Sequence, residues 1–526
     1  MFAFDIDHPG TRGKYVRPPV GDGGHRLSEG TCTHRENMIN EAQITVRNAV
    51  FLLAQRGFHI IAGLLFAIWV PRMMGPSDYG RYALITGLYL WFVVGSDLGF
   101  TQIMGRYVPD FMLHGEKEKL QKFFSNLWVV SLLSGAIGAG LYLSFTTLWL
   151  TDLDRFLFMI MSATLLVRGG SRPFFTLFLG LNQAARWGMG ETFHHWFLIF
   201  LVIVGFYLGG LRGAFMGLFL TEWLVLFIGA WWGKSYFSWK DLRLDLHYLI
   251  PYLRFGFMFF AFNLLASAFQ RSGEVLVRFF YPDYVQVGYF GLANNVYFTI
   301  STGIQHFIIA FAPLLMTLQA KGESETIKQW LEHLINWLGV GAVFVVFGVL
   351  FLGNDLVPLV LGTAYRPVAI NLLPLSLTLW VQVLGGVAVL LIIVYNRPKI
   401  ALMAAGIRLI AIWVFGPFLI ARWGSLGGCF AFLAASTIYS GYLTWRMQGV
   451  MTYSLKKWAW AIVLGFPFLP LSFLKSSWSV NVLLYCIFVI GYCTLLILLR
   501  FMTLSEVVSV WRALRSKSEI IHWSKS

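Results

Sequence analysis

The sequence has few charged residues. Only 12% of its 526 residues are Asp, Glu, Lys or Arg, whereas 57% are hydrophobic and the mean hydropathy is +0.68. A soluble chain of this length would carry roughly 25% charged residues and divide into two or more domains. The shortage of charge, together with repeated apolar stretches of more than about 18 residues, predicts an all-α polytopic membrane protein.

Cysteine is also scarce. The four cysteines are Cys32, Cys429, Cys486 and Cys493. They form no cluster with metal-ligand spacing, so neither a disulfide framework, a metal site nor a thiol chemistry is expected. The net charge of +15 invites a nucleic-acid interpretation. The excess lies instead in short loops, where Lys and Arg set membrane topology, and no nucleic-acid partner or cofactor is expected.

Residues 47–110 contain two apolar spans joined by a short Gly-Pro turn. The first span carries Gln55, Arg56 and His59 on one helical face, and the second carries Asp97. Ionisable groups inside a membrane span are costly and usually face a water-filled cavity. This stretch therefore predicts a helix hairpin that lines a cavity.

About fourteen membrane spans are expected along the chain. Lys and Arg are concentrated in alternate loops, which places both termini in the cytoplasm. Residues 78–84 (DYGRYAL) are echoed by residues 286–292 (QVGYFGL), as expected for two six-helix lobes related by a pseudo-two-fold axis along the membrane normal. The predicted parts are a disordered cytoplasmic tail (1–46), an N-lobe with helices 1–6 (47–232), a cytoplasmic linker (233–252), a C-lobe with helices 7–12 (253–448), helices 13–14 (449–503) and a basic cytoplasmic tail (504–526).

Three short motifs resemble those of a known family. Residues 74–83 (MGPSDYGRYA) resemble the Gly-Pro-x-x-aromatic-Gly-x-aromatic turn of polysaccharide exporters, and residues 96–100 (SDLGF) resemble the family's Asp-Leu-Gly. Gly362 with Tyr365 is similar to its Gly-x-x-aromatic turn. The match points to the O-antigen and lipid-linked oligosaccharide flippases of the multidrug, oligosaccharidyl-lipid and polysaccharide exporter superfamily.

The resemblance implies two six-helix lobes around a central cavity, two additional C-terminal helices and transport by alternating access. It implies a substrate made of an oligosaccharide on undecaprenyl pyrophosphate, moved to the outer leaflet of a bacterial inner membrane for lipopolysaccharide or other surface polysaccharide. The implied partners are this lipid-linked substrate, membrane lipids and other polysaccharide-assembly membrane proteins.

Arginines inside several spans match what such a substrate needs. Fixed cations must replace the water around a pyrophosphate, and the planar guanidinium pairs bidentately with phosphate oxygens. The predicted cationic cavity consists of Arg56, Arg168, Arg172, Arg271 and Arg278. At about 1.5 Å of rise per residue, Arg56 and Arg172 fall in the inner half of the membrane, Arg168 near the middle and the other two in the outer half. The alternatives are snorkelling for Arg172 and Arg278, and a structural ion pair between Arg271 and Glu274.

Other polar residues in the spans are candidates for coupling. Glu191 is three and four residues from His194 and His195, so the three share a helical face, and histidine titrates near neutrality. Interhelical hydrogen bonding is the alternative function of the histidines, and Asp97 is an alternative counter-ion for an arginine. The remaining polar candidates are Gln55, His59, Glu222, Gln270 and Glu274. Proton coupling and sodium coupling both stay open.

Two rival functions are considered. A cation-coupled multidrug exporter of the same superfamily would be expected to have carboxylates dominating its cavity, whereas this chain has more arginine than acid in its spans. A membrane O-antigen polymerase or ligase would need a long outer loop, and no outer loop here exceeds roughly fifteen residues. The expected protein is therefore not an enzyme.

Overall fold

The computed structural model describes residues 29–499 and residue 501, and it describes their side chains except at residues 29–60, 64, 184 and 258. The described residues form helices joined by short turns, which confirms the predicted all-α class, and none of them lies in a strand. The α-helices are α1 (Glu29–Asp97), α2 (Phe100–Leu113), α3 (Lys117–Trp149), α4 (Arg155–Gly180), α5 (Ala184–Gly233), α6 (Leu246–Phe280), α7 (Tyr284–Ile309), α8 (Ala312–Lys321), α9 (Ser324–Leu361), α10 (Arg366–Val394), α11 (Pro398–Gln448), α12 (Lys456–Val463) and α13 (Trp478–Leu498).

The three longest helices are interrupted by glycines at which the chain reverses. α1 breaks at Gly75, which has a φ of 74°, and the rings of Phe66 and Tyr82 on either side of the break lie 6.3 Å apart. In α5 the break is at Gly209–Gly210, and in α11 it is at Gly424. A straight helix would separate Phe66 from Tyr82 by about 24 Å at 1.5 Å per residue. The break at Gly75 is therefore a hairpin turn between two antiparallel arms, as the Gly-Pro motif predicted.

Close backbone contact shows the same reversal in the other two helices. A methyl group on Gly205 would collide with the carbonyl oxygen of Gly213, and one on Gly217 would collide with that of Leu201. In α11, Gly427 lies equally close to the backbone of Leu419. Small residues allow membrane helices to approach this closely. The two arms of each helix therefore pack directly against each other.

Nine helical segments in the described part of the chain are long and apolar enough to cross a membrane, or ten with the bent pair Leu246–Phe257 and Phe259–Phe280. Three of the nine contain the glycine breaks in α1, α5 and α11. The protein is therefore a multi-pass membrane protein. The predicted total of fourteen spans stays a prediction.

The helices pack in two groups. In the N-terminal half (α1–α5), α4 packs on α3 and on α5, and all three pack on α1. In the C-terminal half (α6–α11), α10 packs on α7, α9 and α11, and α11 packs on α6. The halves meet where α1 packs against α6 and α7, while α12 and α13 lie against α9.

The echoed segments of the repeat meet at this contact between the halves. A methyl group on Gly80 would collide with the backbone at Tyr284 and Gly288, and one on Gly291 would lie 3.0 Å from the Cβ of Ala83. Gly80 aligns with Gly288 in the repeat, and Ala83 aligns with Gly291. Equivalent residues that contact each other are the signature of a nearby two-fold axis. This contact agrees with the predicted pseudo-two-fold arrangement.

Several predicted segments differ from the observed helices. Residues 29–46, expected to belong to the disordered tail, are helical and form the start of α1. Apart from Gly30, they contain no glycine or proline that would interrupt a helix. The predicted thirteenth helix is an eight-residue α12 followed by a 3-10 segment, Phe466–Leu474, which contains two prolines that cannot donate helical hydrogen bonds. Residues 1–28 and the tail 504–526 lie outside the described residues, and the domain boundaries stay predictions.

Candidate functional site

The N-terminal half contains a cluster of ionisable side chains from α4 and both arms of α5. Arg168 on α4 forms an ion pair with Glu222 on the second arm of α5. His194 on the first arm places its Nε2 3.2 Å from the same carboxylate oxygen, and Ser171 donates to the other oxygen at 3.4 Å. Glu222 is only 4% exposed. One buried carboxylate on the second arm of α5 thus joins two side chains of α4 and one of the first arm of α5.

A second ion pair lies beside the first. Arg172 Nη1 is 3.7 Å from Glu191 Oε1, and the two side chains are 42% and 25% exposed. Both pairs line a cavity of about 30 Å³, which is about the volume of one water molecule. The cavity lining contains Arg168, Ser171, Arg172, Glu191, His194 and Glu222.

The position of α4 depends on its contact with α3. Gly169 of α4 packs against Gly135, and a methyl group on Gly169 would lie 2.9 Å from the carbonyl oxygen of Ser131. The Ser131 hydroxyl in turn donates to the Gly169 carbonyl at 2.7 Å. Since Arg168 and Arg172 are four residues apart, both point to one side of α4. Close packing of α3 on α4 thus leaves the arginines facing α5.

Asp97 and Tyr89, on the second arm of α1, complete this N-terminal cluster. Asp97 is the last residue of α1 and precedes Leu98 and Gly99, whose positive φ angles end the helix. Its carboxylate interacts electrostatically with Arg172 and Arg168, yet its Oδ1 is buried without a hydrogen bond. Tyr89 also interacts with Arg168. Four of the predicted polar candidates are therefore close to the two arginines of α4: Asp97, Glu191, His194 and Glu222.

Arg271 lies at the contact between the halves. Its Nη1 is 3.3 Å from Glu274 Oε1 and 3.1 Å from Asn295 Oδ1. Asn295 donates to the hydroxyl of Tyr79 on α1 at 3.0 Å, and Glu274 is fully buried. This group therefore links α6 and α7 of the C-terminal half to α1, in agreement with the alternative of an ion pair between Arg271 and Glu274.

Arg278 lies at the end of the bundle opposite the linker. It donates to Asp152, in the turn between α3 and α4, at 2.7 Å, and the Tyr284 hydroxyl donates to the same oxygen at 2.7 Å. Partial burial opposes ionisation of Asp152, but the hydrogen bond from Tyr284 and the charge of Arg278 prevail and lower its pKa. The Arg278 guanidinium also lies 4.8 Å from the centre of the Tyr284 ring. This arginine bridges the two halves outside the N-terminal cluster.

The remaining predicted residues have separate positions. The side chains of Gln55, Arg56 and His59 lie outside the described part of the chain. The His195 ring contacts the His194 ring and the Glu191 carbonyl at 2.7 Å. The main-chain carbonyl oxygen of Gln270 accepts a hydrogen bond from the Asn294 side chain. Their proposed roles stay predictions.

The structure adds residues that the sequence interpretation did not select. Asp152 was not among the predicted site residues, and no spacing connects it with Arg278, which is 126 residues away. Arg408 lies in an apolar span, so the criterion that selected Arg168 would have found it too. The four predicted arginines whose side chains are described, Arg168, Arg172, Arg271 and Arg278, each pair with a carboxylate. The described members of the predicted cationic cavity are therefore neutralised in this arrangement.

Comparisons with known proteins agree with this architecture. A family model described as "Polysaccharide biosynthesis protein" matches residues 45–319, slightly more than half of the chain. No curated protein sequence matches. Among solved structures, the lipid II flippase MurJ in an inward closed conformation superposes with a TM-score of 0.60 at 16% identity, covering 86% of this chain and 100% of that one.

Multidrug transporters share the fold as well. An inward-facing multidrug resistance MATE family transporter of the MOP superfamily has a TM-score of 0.61 at 14% identity, covering 75% of this chain and 94% of that one. A Vibrio cholerae MATE transporter, VcmN, has a TM-score of 0.50 at 12% identity, covering 78% and 98%. At these identities the structural matches establish a shared fold and leave the cargo open.

Proposed function

The chain belongs to the polysaccharide biosynthesis protein family, and we propose that it is a flippase that moves oligosaccharide linked to undecaprenyl pyrophosphate across a bacterial inner membrane by alternating access. The proposed membrane orientation has both termini in the cytoplasm. The proposed pathway is the biosynthesis of a cell-surface polysaccharide such as O-antigen or lipopolysaccharide. Other polysaccharide-assembly proteins of the membrane are the proposed partners. No chemical step is assigned to the protein itself.

The observation that carries the proposal is the half-exposed Arg172 beside Arg168, whose side chain is 21% exposed. The Arg172 side chain is 42% exposed and its Nη1 lies 3.7 Å from Glu191 Oε1. The Arg172–Glu191 pair is therefore more accessible than the Arg168–Glu222 pair. A pyrophosphate presents the same kind of oxygen acceptor as a carboxylate and pairs with the guanidinium fork. We expect the pyrophosphate to displace Glu191 from Arg172 first and to reach Arg168 only after the helices rearrange.

Displacement of a carboxylate provides a route to ion coupling. A carboxylate that loses its arginine inside a membrane protein is costly to keep ionised, so it would take up a proton. His194 and Glu222 lie next to that site, which makes the N-terminal cluster the proposed place of proton binding. A sodium gradient is the competing source of energy. Imposing each gradient separately on liposomes containing the protein distinguishes the two by which one accelerates transport.

A multidrug exporter is the second candidate function. The buried Oδ1 of Asp97, which has no hydrogen-bond partner among the described residues, favours it because a carboxylate oxygen without a hydrogen bond suits a cationic drug. The MATE transporters that share the fold make this candidate concrete. It predicts export of a quaternary ammonium dye that depends on Asp97 rather than on Arg172.

The deciding experiment uses the purified full chain in liposomes with a lipid-linked oligosaccharide labelled on its glycan. Transport is followed as the fraction of label that becomes accessible to a membrane-impermeant quencher. We expect Arg172→Gln to slow transport by about tenfold or more, since a charge-assisted contact with the substrate is lost. Arg56→Ala tests the predicted contribution of the first span in the same assay.

Arg186→Gln is the matched control, because Arg186 is an exposed arginine near the start of α5. It should transport at the wild-type rate. Transport by Arg172→Gln at the wild-type rate would exclude the cationic site. Failure of the wild type to move the lipid, combined with export of the dye, would establish the multidrug function instead.

A further inference from the structure

A separate arginine site lies in the C-terminal half, on the first arm of α11. The guanidinium of Arg408 lies 3.9 Å from the ring centre of Phe269, 4.7 Å from that of Tyr439 and 5.6 Å from that of Phe432. Its Nη2 donates to the Ser436 hydroxyl at 2.8 Å. Aromatic ring faces attract cations, so this cage holds the guanidinium in a defined position.

No carboxylate of the described residues forms an ion pair with Arg408. Among the same residues, its buried Nε has no hydrogen-bond partner. A buried charge without a counter-ion carries a large desolvation cost. An anionic ligand would therefore gain more here than beside Arg168, whose charge Glu222 already neutralises.

A cavity of about 320 Å³ lies between α6, α7, α10 and α11, and Arg408 itself is not one of its lining residues. Its volume falls within the range of roughly 300–1,000 Å³ that is typical of small-molecule sites. Its lining is mostly apolar and includes Phe262, Val389 and Leu402, with Gln305 and Gln382 as polar exceptions. Such a lining fits a hydrocarbon chain and leaves a few polar groups to orient a head group.

Two side chains connect the cavity with the arginine. Tyr439 lines the cavity and lies against the Arg408 guanidinium. Gln382 also lines the cavity and accepts a hydrogen bond from Tyr297, whose hydroxyl lies beside the same guanidinium. The apolar cavity therefore has one wall that is backed by an unbalanced positive charge.

We propose that this cavity binds an amphiphile with an apolar chain and a phosphate head. The chain occupies the apolar part, and the phosphate lies at the wall formed by Gln382 and Tyr439, where it balances Arg408. Arg408 acts on the phosphate through its positive charge, which is little screened inside the protein. This site goes beyond the proposed transport function, because polyprenyl phosphates and bilayer phospholipids carry the same chemistry and neither has to be translocated from it.

The test measures ligand binding by the full chain in a neutral maltoside detergent. A ligand that binds the folded state raises its thermal midpoint. We expect farnesyl phosphate or phosphatidylglycerol to raise the midpoint of the wild type, while farnesol and phosphatidylcholine do not. A response to farnesyl phosphate alone identifies a polyprenyl ligand, and a response to phosphatidylglycerol alone identifies a bilayer lipid.

Three variants localise the site. Arg408→Gln should weaken binding of the phosphate ligand by about tenfold or more, and Arg408→Lys, which keeps the charge, should bind better than Arg408→Gln. Ala401→Phe should lose binding because Ala401 lines the cavity. Arg422→Gln changes an exposed arginine on the same arm of α11 and should bind as the wild type does.

Two results would overturn the proposal. One is wild-type affinity for the phosphate ligands in both Arg408→Gln and Ala401→Phe, and the other is the absence of any response by the wild type. Neither the thermal midpoint nor the affinity for the phosphate ligands depends on transport. Failure of this site therefore leaves the proposed flippase function intact, and failure of transport leaves this site intact.

Discussion

Both halves of the molecule place arginine in membrane helices, but the N-terminal cluster and the Arg408 site treat its charge in opposite ways. In the N-terminal half, Arg168 and Arg172 each pair with a carboxylate, and a histidine shares one of the carboxylates. In the C-terminal half, Arg408 lies among three aromatic rings and forms no ion pair with any residue whose side chain the structure describes. The packing is symmetric near the two-fold contact, whereas the charge is not.

This difference separates two uses of a buried cation. A paired arginine is electrically satisfied, so a ligand must displace its carboxylate, and the displacement itself can be linked to a rearrangement or to proton uptake. An unpaired arginine attracts an anion without displacing anything. The N-terminal cluster is therefore suited to a transient step of transport, and the C-terminal site is suited to stable occupancy.

The largest effect on stability is expected for Glu222→Gln. The substitution leaves Arg168 buried without its counter-ion, which should lower the free energy of unfolding by about 3–5 kcal/mol. Thermal and denaturant unfolding in detergent measure the change. The double variant Arg168→Gln with Glu222→Gln should recover most of the loss, and a double variant as unstable as the sum of both single variants would contradict the pairing.

Arg408→Gln should change the free energy of unfolding in the opposite direction. Removing a buried charge that has no counter-ion relieves its desolvation cost, which exceeds the lost ring contacts, so the ligand-free protein should gain about 1 kcal/mol in unfolding free energy. The same unfolding assay tests this. A destabilisation as large as that of Glu222→Gln would mean that Arg408 has a counter-ion after all.

Arg172→Gln should separate transport from stability. Its ion pair with Glu191 is long and half-exposed, so its loss should change the unfolding free energy by less than about 1 kcal/mol. Transport should nevertheless fall as described above. Equal and large losses of stability and transport would instead assign Arg172 a structural role.

The smallest effect concerns the contact between the halves at Asp152. Because its pKa is lowered in the folded protein, its pairing with Arg278 stabilises the fold above the unfolded pKa of about 3.9 and is lost as the pH falls through the lower folded value. Asp152→Asn should therefore cost less than about 1 kcal/mol at neutral pH. The unfolding midpoints of the wild type and Asp152→Asn should converge at a pH below the folded pKa of Asp152. A difference that persists at that pH would exclude the ion pair.

The class of the protein and many of its local features could be predicted from residue types alone. Apolar length and scarce charge are sufficient to indicate membrane helices, because hydrocarbon admits few other structures for a single chain. The turn at Gly75 was also predictable, since a glycine followed by proline interrupts a helix. The short α12 was not predicted, although Pro467 and Pro470 give the reason for its end.

The positions of the arginines were readable in the sequence, but their partners were not. Glu222 is 54 residues from Arg168, and Asp152 is 126 residues from Arg278. Which carboxylate meets which arginine depends on how each helix is rotated about its axis and on how closely α3 packs on α4. The spacing of residues along one helix carries no information about either quantity.

By itself, then, the sequence determined a multi-pass helical protein with a repeated architecture and charged groups inside its spans, because each of these follows from local composition and period. Only the tertiary structure decided that Arg172 meets a carboxylate, while Arg408 meets aromatic rings and, within the described part of the chain, no carboxylate. The physical reason is that the net charge of a buried site is a sum over side chains from several helices. That sum exists only once the helices are packed.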